Sequence, residues 1–491
     1  MKRLITLVLV LVILPVLAAS TNYNYSYWGE AVHSAPGMTF AAYINAQSLG
    51  TTLTSPEDLV VYEEEIYLID SNTNALSVID NEFKLVSSHL IFPLSNEYRN
   101  ELTILGVEDL SDLTLESPYG LDVKDSGIYI CDTGNFRIVK LDHNFEVVAV
   151  YKDMDEKTFD EIEFEPKKIT VDSSERMYVV AKNIYEGIME INYDGSFNRF
   201  TGVNPIKLTP FEIFSRSLMT EEQIAQLQLF LPTEYTNVSI NDKSFIYATS
   251  KTSTNNDENP IQLINPKGVD VITRNGYFPP KGDIHYVVGR NNFVIDGPSE
   301  LVDIASTENG IYTVLDQKRS RLFTYDSEGD LLYINGDEGS QSDKFSEGVA
   351  IEYFGDDLLI LDRGTKTIVV YQLTEFGSYV NQAIAFHEAG EFDEAALIWQ
   401  EVVKINSNYE IAYNGIGKLL LRQGEYKEAM EYFKLGHDTY YYSKAYKEYR
   451  NEIIEDNFGL IMGTIVFGTL AIIGFKVYST YKKGGSILYE D

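Results

Sequence analysis

Six segments of this 491-residue chain repeat one pattern, and such a chain has few folds open to it. Each segment opens near a Pro or Glu and runs through an alternating strand. It then turns on acidic residues or Gly and continues into an apolar strand that often ends in Asp. The segments are 55–86, 117–151, 165–202, 235–271, 297–336 and 347–373. Each supplies three or four strands of period-2 alternation, joined by hairpin turns such as Asp194-Gly195 and Glu328-Gly329. One such sheet cannot bury both of its faces, and arranging six radially solves that problem. The expected fold class is a six-bladed β-propeller, with seven blades or a sandwich as the alternatives. The segment 27–44 is placed to supply the outer strand that closes the ring.

The aspartates that end the apolar strands (Asp70, Asp132, Asp316 and Asp362) each precede a short polar turn. A carboxylate there can accept bonds from turn amides, so these residues read as hairpin latches rather than catalytic acids. Between the third and fourth segments, 209–232 departs from strand alternation. Thr220 and Gln223 are spaced as a capping box and Pro232 follows, which predicts a helical insertion over one face of the propeller, a functional cap or a plug.

After residue 375 the period changes. Gly390, Ala395 and Trp399 are matched 34 residues later by Gly424, Ala429 and Phe433, the tetratricopeptide spacing. Small residues at 395 and 429 let paired helices approach, and the aromatic residues fill the space between pairs. Two repeats cannot bury a solenoid core alone, so a capping helix is expected before residue 456.

Both ends carry membrane signals. Lys2 and Arg3, the apolar run 4–17, and Ala18, Ala19 and Ser20 form the pattern of a secretory signal peptide at 1–19, an uncleaved anchor being the alternative. Residues 458–475 contain no charge, which predicts a membrane helix over 457–478 rather than a core helix. Lys476, Lys482 and Lys483 follow the run, so the positive-inside rule puts the tail 479–491 in the cytoplasm and the rest outside. The expected organisation is therefore propeller 20–375, tetratricopeptide helices 376–456, one membrane pass and a short tail.

Charge excludes one large class of function. With 39 basic against 74 acidic residues, a net −35, the chain lacks the basic footprint that nucleic acid requires. A single cysteine, Cys131, excludes an internal disulfide, and its apolar setting marks it as a small core residue. The six histidines are scattered, and no G-x-S-x-G elbow, phosphate loop or dinucleotide motif is present. Tyrosine runs at 440–442 and in Asn22-Tyr23-Asn24-Tyr25 invite a sugar-stacking reading, but the first reads equally as helix packing and the second as a mobile leader.

The phrase Asp132-Thr133-Gly134-Asn135-Phe136-Arg137-Ile138-Val139 resembles the signature of NHL repeats. With the signal peptide, the tetratricopeptide pair and the C-terminal helix, the whole chain resembles a family of membrane-anchored NHL-repeat surface proteins of Gram-positive bacteria. The likeness is clearest at 179–191, 218–235 and 419–436. Members are sometimes labelled gluconolactonase-like, and some are encoded near carbohydrate ABC transporters. The resemblance implies an envelope role beside sugar uptake, with no established activity.

Residues just before the innermost strands are the natural place for a ligand site, which singles out Glu57, Tyr119, Lys167, Glu300 and Glu347. Three carboxylates there would suit Ca²⁺ or Mg²⁺, and a divalent-metal lactonase or hydrolase is the enzymatic alternative. No spacing ties those carboxylates together. The reading reached from sequence is a non-enzymatic, membrane-anchored extracellular binding or scaffold protein that needs no cofactor. Its expected partners are envelope proteins or carbohydrates, including components of a carbohydrate transporter.

Overall fold

The structure is a computed structural model that describes residues 22–107, 109–152, 164–202, 234–251, 259–284, 297–341 and 343–485. The expected leader at 1–19 and helical insertion at 209–232 lie outside these residues. The chain divides into two compact units, Met1–Ile384 and Ala385–Asp491.

The first unit begins with a hairpin of β1 (Tyr23–Tyr25) and β2 (Ala31–His33), followed by β3 (Met38–Ile44) and the short α1 (Ala46–Leu49). Blade 1 comprises β4 (Pro56–Tyr62), β5 (Glu65–Asp70), β6 (Ala75–Ile79) and β7 (Leu85–His89). A helix, α2 (Asn96–Ile104), precedes blade 2, which comprises β8 (Leu121–Lys124), β9 (Gly127–Asp132), β10 (Arg137–Leu141) and β11 (Val147–Tyr151). Blade 3 is β12 (Pro166–Val171), β13 (Met177–Ala181), β14 (Ile188–Ile191) and β15 (Phe197–Thr201). Among the described residues blade 4 has three strands, β16 (Tyr235–Ile240), β17 (Ile246–Ser250) and β18 (Ile261–Ile264). Blade 5 is β19 (Leu301–Ser306), β20 (Tyr312–Asp316), β21 (Arg321–Tyr325) and β22 (Leu331–Asn335).

Blade 6 closes the ring. Its strands β23 (Gly348–Phe354), β24 (Asp357–Asp362) and β25 (Thr367–Leu373) take β3 as the outermost member, antiparallel, with Ile368 opposite Ile44 and Leu373 opposite Met38. Of the segment expected to close the ring, 38–44 does so. A strand from before the first blade completing the last one ties the two ends of the propeller together.

Every blade buries both faces against its neighbours. Ile69, Leu76, Leu121 and Ile130 fill the space between blades 1 and 2, and Leu59, Leu68, Leu359 and Leu361 fill that between blades 6 and 1. The hairpin at the N-terminus is packed rather than mobile: Tyr25 is buried, and Asn24 Nδ2 donates to the carbonyls of Leu331 (3.3 Å) and Leu332 (3.1 Å) on blade 5.

The helices follow. α3 (Glu375–Glu388) starts in the first unit, where Thr374 Oγ1 accepts the Gly377 N–H at 3.0 Å. In the second unit α4 (Phe392–Ile405), α5 (Glu410–Gln423), α6 (Tyr426–Leu435) and α7 (Thr439–Asp456) pack in succession. Ala395, Ala429, Trp399 and Phe433 are all buried. A Cβ on Gly415 would fall 2.2 Å from the Trp399 ring, and one on Gly417 would fall 2.8 Å from Phe433, so these glycines let the aromatic residues reach the α5 backbone. The last helix, α8 (Phe458–Gly485), contains a 25-residue stretch, Phe458–Lys482, of mean hydropathy 2.2 that is long and apolar enough to cross a membrane.

Candidate functional site

The innermost strands carry polar side chains where the alternation would allow apolar ones. In five of them a β-bulge falls near the strand's start: between Pro56 and Asp58, Pro166 and Lys168, Tyr235 and Asn237, Leu301 and Asp303, and Gly348 and Ala350. A bulge adds one residue to one strand and so changes which residue meets the ring's centre. Asp58, Asn237 and Asp303 line the central cavity in consequence, with Asp122, Thr170, Ser239 and Glu352 two residues further along their blades. The cavity has a volume of about 210 Å³ and extends to the turns at 241–243 and 307–310, which follow β16 and β19. No aromatic side chain lines it among the described residues.

Several of these groups staple one blade to the next. Asp58 Oδ2 accepts the Leu121 N–H of blade 2 at 3.0 Å, and Asp122 Oδ2 accepts the Val171 N–H of blade 3 at 2.7 Å. Thr170 Oγ1 accepts the Ile240 N–H of blade 4 at 3.2 Å, and Asp303 Oδ2 accepts the Ile351 N–H of blade 6 at 2.6 Å. Each charge-assisted bond of this kind contributes about 1.5–3 kcal/mol. Lys168 Nζ lies 2.8 Å from Asp58 Oδ1, while Asn237 Nδ2 donates to Asp303 Oδ1. At the next level Lys124 Nζ sits 3.3 Å from Asp122 Oδ1.

Glu352 differs from the rest. Among the described residues the only hydrogen bond to its carboxylate comes from the neighbouring Tyr353 N–H, at 3.0 Å to Oε1. Burial, followed by the negative charge of Asp303, pushes its pKa up to about 8. Burial likewise pushes Asp303 up to about 7 against the pull of Lys168, and raises Asp58 and Asp122. Burial works against the Lys168 ammonium, but Asp58 and Asp303 outweigh it and hold it above the ordinary lysine value. Four carboxyl groups thus share the channel with two lysines, and two of the four ionise near neutrality.

The five residues singled out from sequence lie around the opposite ends of these strands; the structure gathers four of them into two pairs and leaves Glu300 apart. Arg363 Nη1 contacts Glu57 Oε2 at 2.7 Å and its Nη2 bonds Glu347, so blades 1 and 6 share an ion triad. Lys167 Nζ stands 4.4 Å from the centre of the Tyr119 ring, joining blades 2 and 3. Glu300 is exposed, and its backbone N–H donates to Asp316 at 3.0 Å. Glu57 and Lys167 are the extra residues of their bulges, directly before the channel residues Asp58 and Lys168. A signal for the channel set existed: Asp58, Lys168, Asn237 and Asp303 occupy one position of the repeat, a polar residue inside an apolar strand.

The strand-ending aspartates act as latches. Asp70 accepts the N–H groups of Thr54 (2.6 Å), Ser55 (3.0 Å) and Thr73 (2.9 Å), and Asp362 those of Ser346 (3.0 Å), Glu347 (2.9 Å) and Gly364 (3.0 Å). Each therefore binds the turn after its strand and the loop that enters its blade. Burial works to raise the Asp70 carboxyl, but these amides outweigh it and hold it below the usual carboxylate range. Among the described residues no three His, Cys, Asp or Glu side chains are grouped so as to hold a metal ion.

No protein-family model matches the chain, and no curated protein does. Solved structures similar to it include selenomethionine-substituted virginiamycin B lyase from Staphylococcus aureus, with 11% identity and a TM-score of 0.41 over 68% of this chain and 99% of that one. A streptogramin B lyase matches at 13% identity and a TM-score of 0.38 over 70% of this chain and 90% of the other. A protein of unknown function from Bacteroides thetaiotaomicron matches at 11% identity and a TM-score of 0.40, over 72% and 76%. The expectation that the chain is not an enzyme is corrected by this finding: solved structures similar to it include lyases.

Proposed function

We propose that this chain is a membrane-anchored binding protein of the cell envelope whose propeller channel receives a small polar ligand. The observation that carries the reading is Glu352, an acid facing a solvent-reaching cavity with no partner that the blades require. Asp58, Asp122 and Asp303 each hold a neighbouring blade, whereas Glu352 holds none. Buried ionisable groups with displaced pKa values in a cavity mark ligand sites more often than structural ones.

The remaining features support an envelope setting. The apolar helix supports a membrane anchor, and the basic residues after it support a cytoplasmic tail and an external propeller. The helices from Glu375 onward form a tetratricopeptide pair with a cap, which offers a short docking surface to an envelope protein. The resemblance to NHL-repeat surface proteins supports components of a carbohydrate transporter as that partner.

A thermal-shift screen on the full chain in detergent tests the channel. A small polar solute at 100 times its Kd stabilises the folded state by about 2.7 kcal/mol. At least one solute is expected to raise Tm, and Glu352→Gln is expected to abolish that rise. A panel of cations, sugars and organic acids that leaves Tm unchanged overturns the reading.

A further inference from the structure

We propose that the channel takes a small organic cation bearing a primary ammonium group, held at Glu352 and the Asp303 end of the ring. This inference rests on the channel being a ligand site and specifies what enters it.

The charge balance of the cavity points that way. Asp58, Asp122, Asp303 and Glu352, from four of the six blades, line the cavity, and among the described residues Lys168 pairs with Asp58 and Lys124 with Asp122. Asp242, Lys243 and Glu308 at the cavity's outer end do not correct the deficit. The ring already accommodates one ammonium: Lys168 Nζ is sealed from water and pairs with Asp58 Oδ1 at 2.8 Å. A second ammonium entering from the open end meets the carboxylate that lacks a counterion.

Two alternatives fit the wall less well. A hard divalent ion wants six or more oxygen ligands, yet both oxygens of Asp58 and Asp303 are already engaged by blade N–H groups, Lys168 and Asn237. An ammonium has three donors to place, and Glu352, Asn237 and Ser239 supply acceptors in the same wall. A sugar ring stacks on an aromatic face, and the cavity has none among the described residues.

Binding is then linked to protons. In the empty channel Asp303 and Glu352 lose their protons at about 7 and about 8. A cation favours their ionised forms, so affinity rises with pH through that range while an alkylammonium, with a pKa of about 10.4, stays charged.

Isothermal titration of the full chain in detergent, with ethanolammonium against its neutral counterpart ethylene glycol, tests this. Ethanolammonium is expected to bind roughly tenfold or more tightly at pH 8.5 than at pH 6, and to release protons in buffers of different ionisation heat. Ethylene glycol is expected not to bind. Glu352→Gln should weaken ethanolammonium roughly tenfold or more and flatten the pH dependence, and Ser239→Lys, which tethers an ammonium in the cavity, should abolish binding. Equal binding of the glycol, or Ca²⁺ binding that excludes ethanolammonium, overturns the ammonium assignment and leaves the channel as a site. Absence of heat with every solute, in a chain whose melt is intact, overturns both.

Discussion

A lysine ammonium sealed inside a propeller channel carries a desolvation cost that two aspartates offset. Lys168 is balanced by Asp58 at 2.8 Å and by the field of Asp303. Removing one member of a buried pair typically costs about 3–5 kcal/mol, because the other is left charged without a partner. Lys168→Met therefore destabilises the propeller, and the loss depends on pH in a definite direction. Without the ammonium both aspartates have still higher folded pKa values. A raised folded pKa contributes stability below the unfolded value, and that stability is lost as pH rises through the folded value. Denaturant unfolding of Lys168→Met should thus show a smaller deficit at pH 5.5 than at pH 8; equal deficits would sink the account. Glu352→Gln should do the reverse of harm. Its carboxyl, raised to about 8, weakens the fold between the unfolded carboxylate range and pH 8, so the amide should raise Tm by about 1–3 °C at pH 8.5 and little at pH 5.

At the scale of elements, ring closure depends on a contact between two glycines. β3 enters blade 6 just after Gly37, and α3 begins at that same end of the blade, where Leu373 lies opposite Met38. A Cβ on Gly377 would lie 1.9 Å from the Gly37 carbonyl oxygen, and one on Gly37 would lie 2.2 Å from the Tyr333 ring. Backbone cannot yield to such contacts cheaply. Gly377→Ala should cost about 1–3 kcal/mol and raise susceptibility to proteolysis near residue 37; a variant as stable as the parent would show that the helix lifts away freely. The closing strand itself was legible beforehand, as were six blades and the aspartate latches, because alternation and turn chemistry are local. The channel was not. Bulges break period-2 alternation by one residue, so Glu57 and Lys167 stood out while their neighbours Asp58, which lines the cavity, and Lys168, which pairs with it, did not. Whether Tyr23 and Tyr25 pack or wander was equally hidden, since their partners Asp283 and Phe278 lie some 250 residues away.

For the whole molecule, the distribution of charge and one cysteine make the topology testable. The propeller and its helices precede an apolar helix followed by Lys476, Lys482 and Lys483, and the orientation proposed from them, with the tail in the cytoplasm, predicts which sites a reagent outside the cell can reach. Cys131 is fully buried, and burial pushes its thiol up, so in the folded chain it stays silent to maleimides. That silence allows single cysteines to report sidedness without a cysteine-free background. Ser173→Cys, on an exposed turn of blade 3, should react with a membrane-impermeant maleimide on intact cells. Ser486→Cys, in the tail, should react only after the membrane is opened. Labelling of the tail on intact cells with protection of residue 173 would reverse the orientation. It would also place the channel in the cytoplasm, where envelope ligands could not reach Glu352.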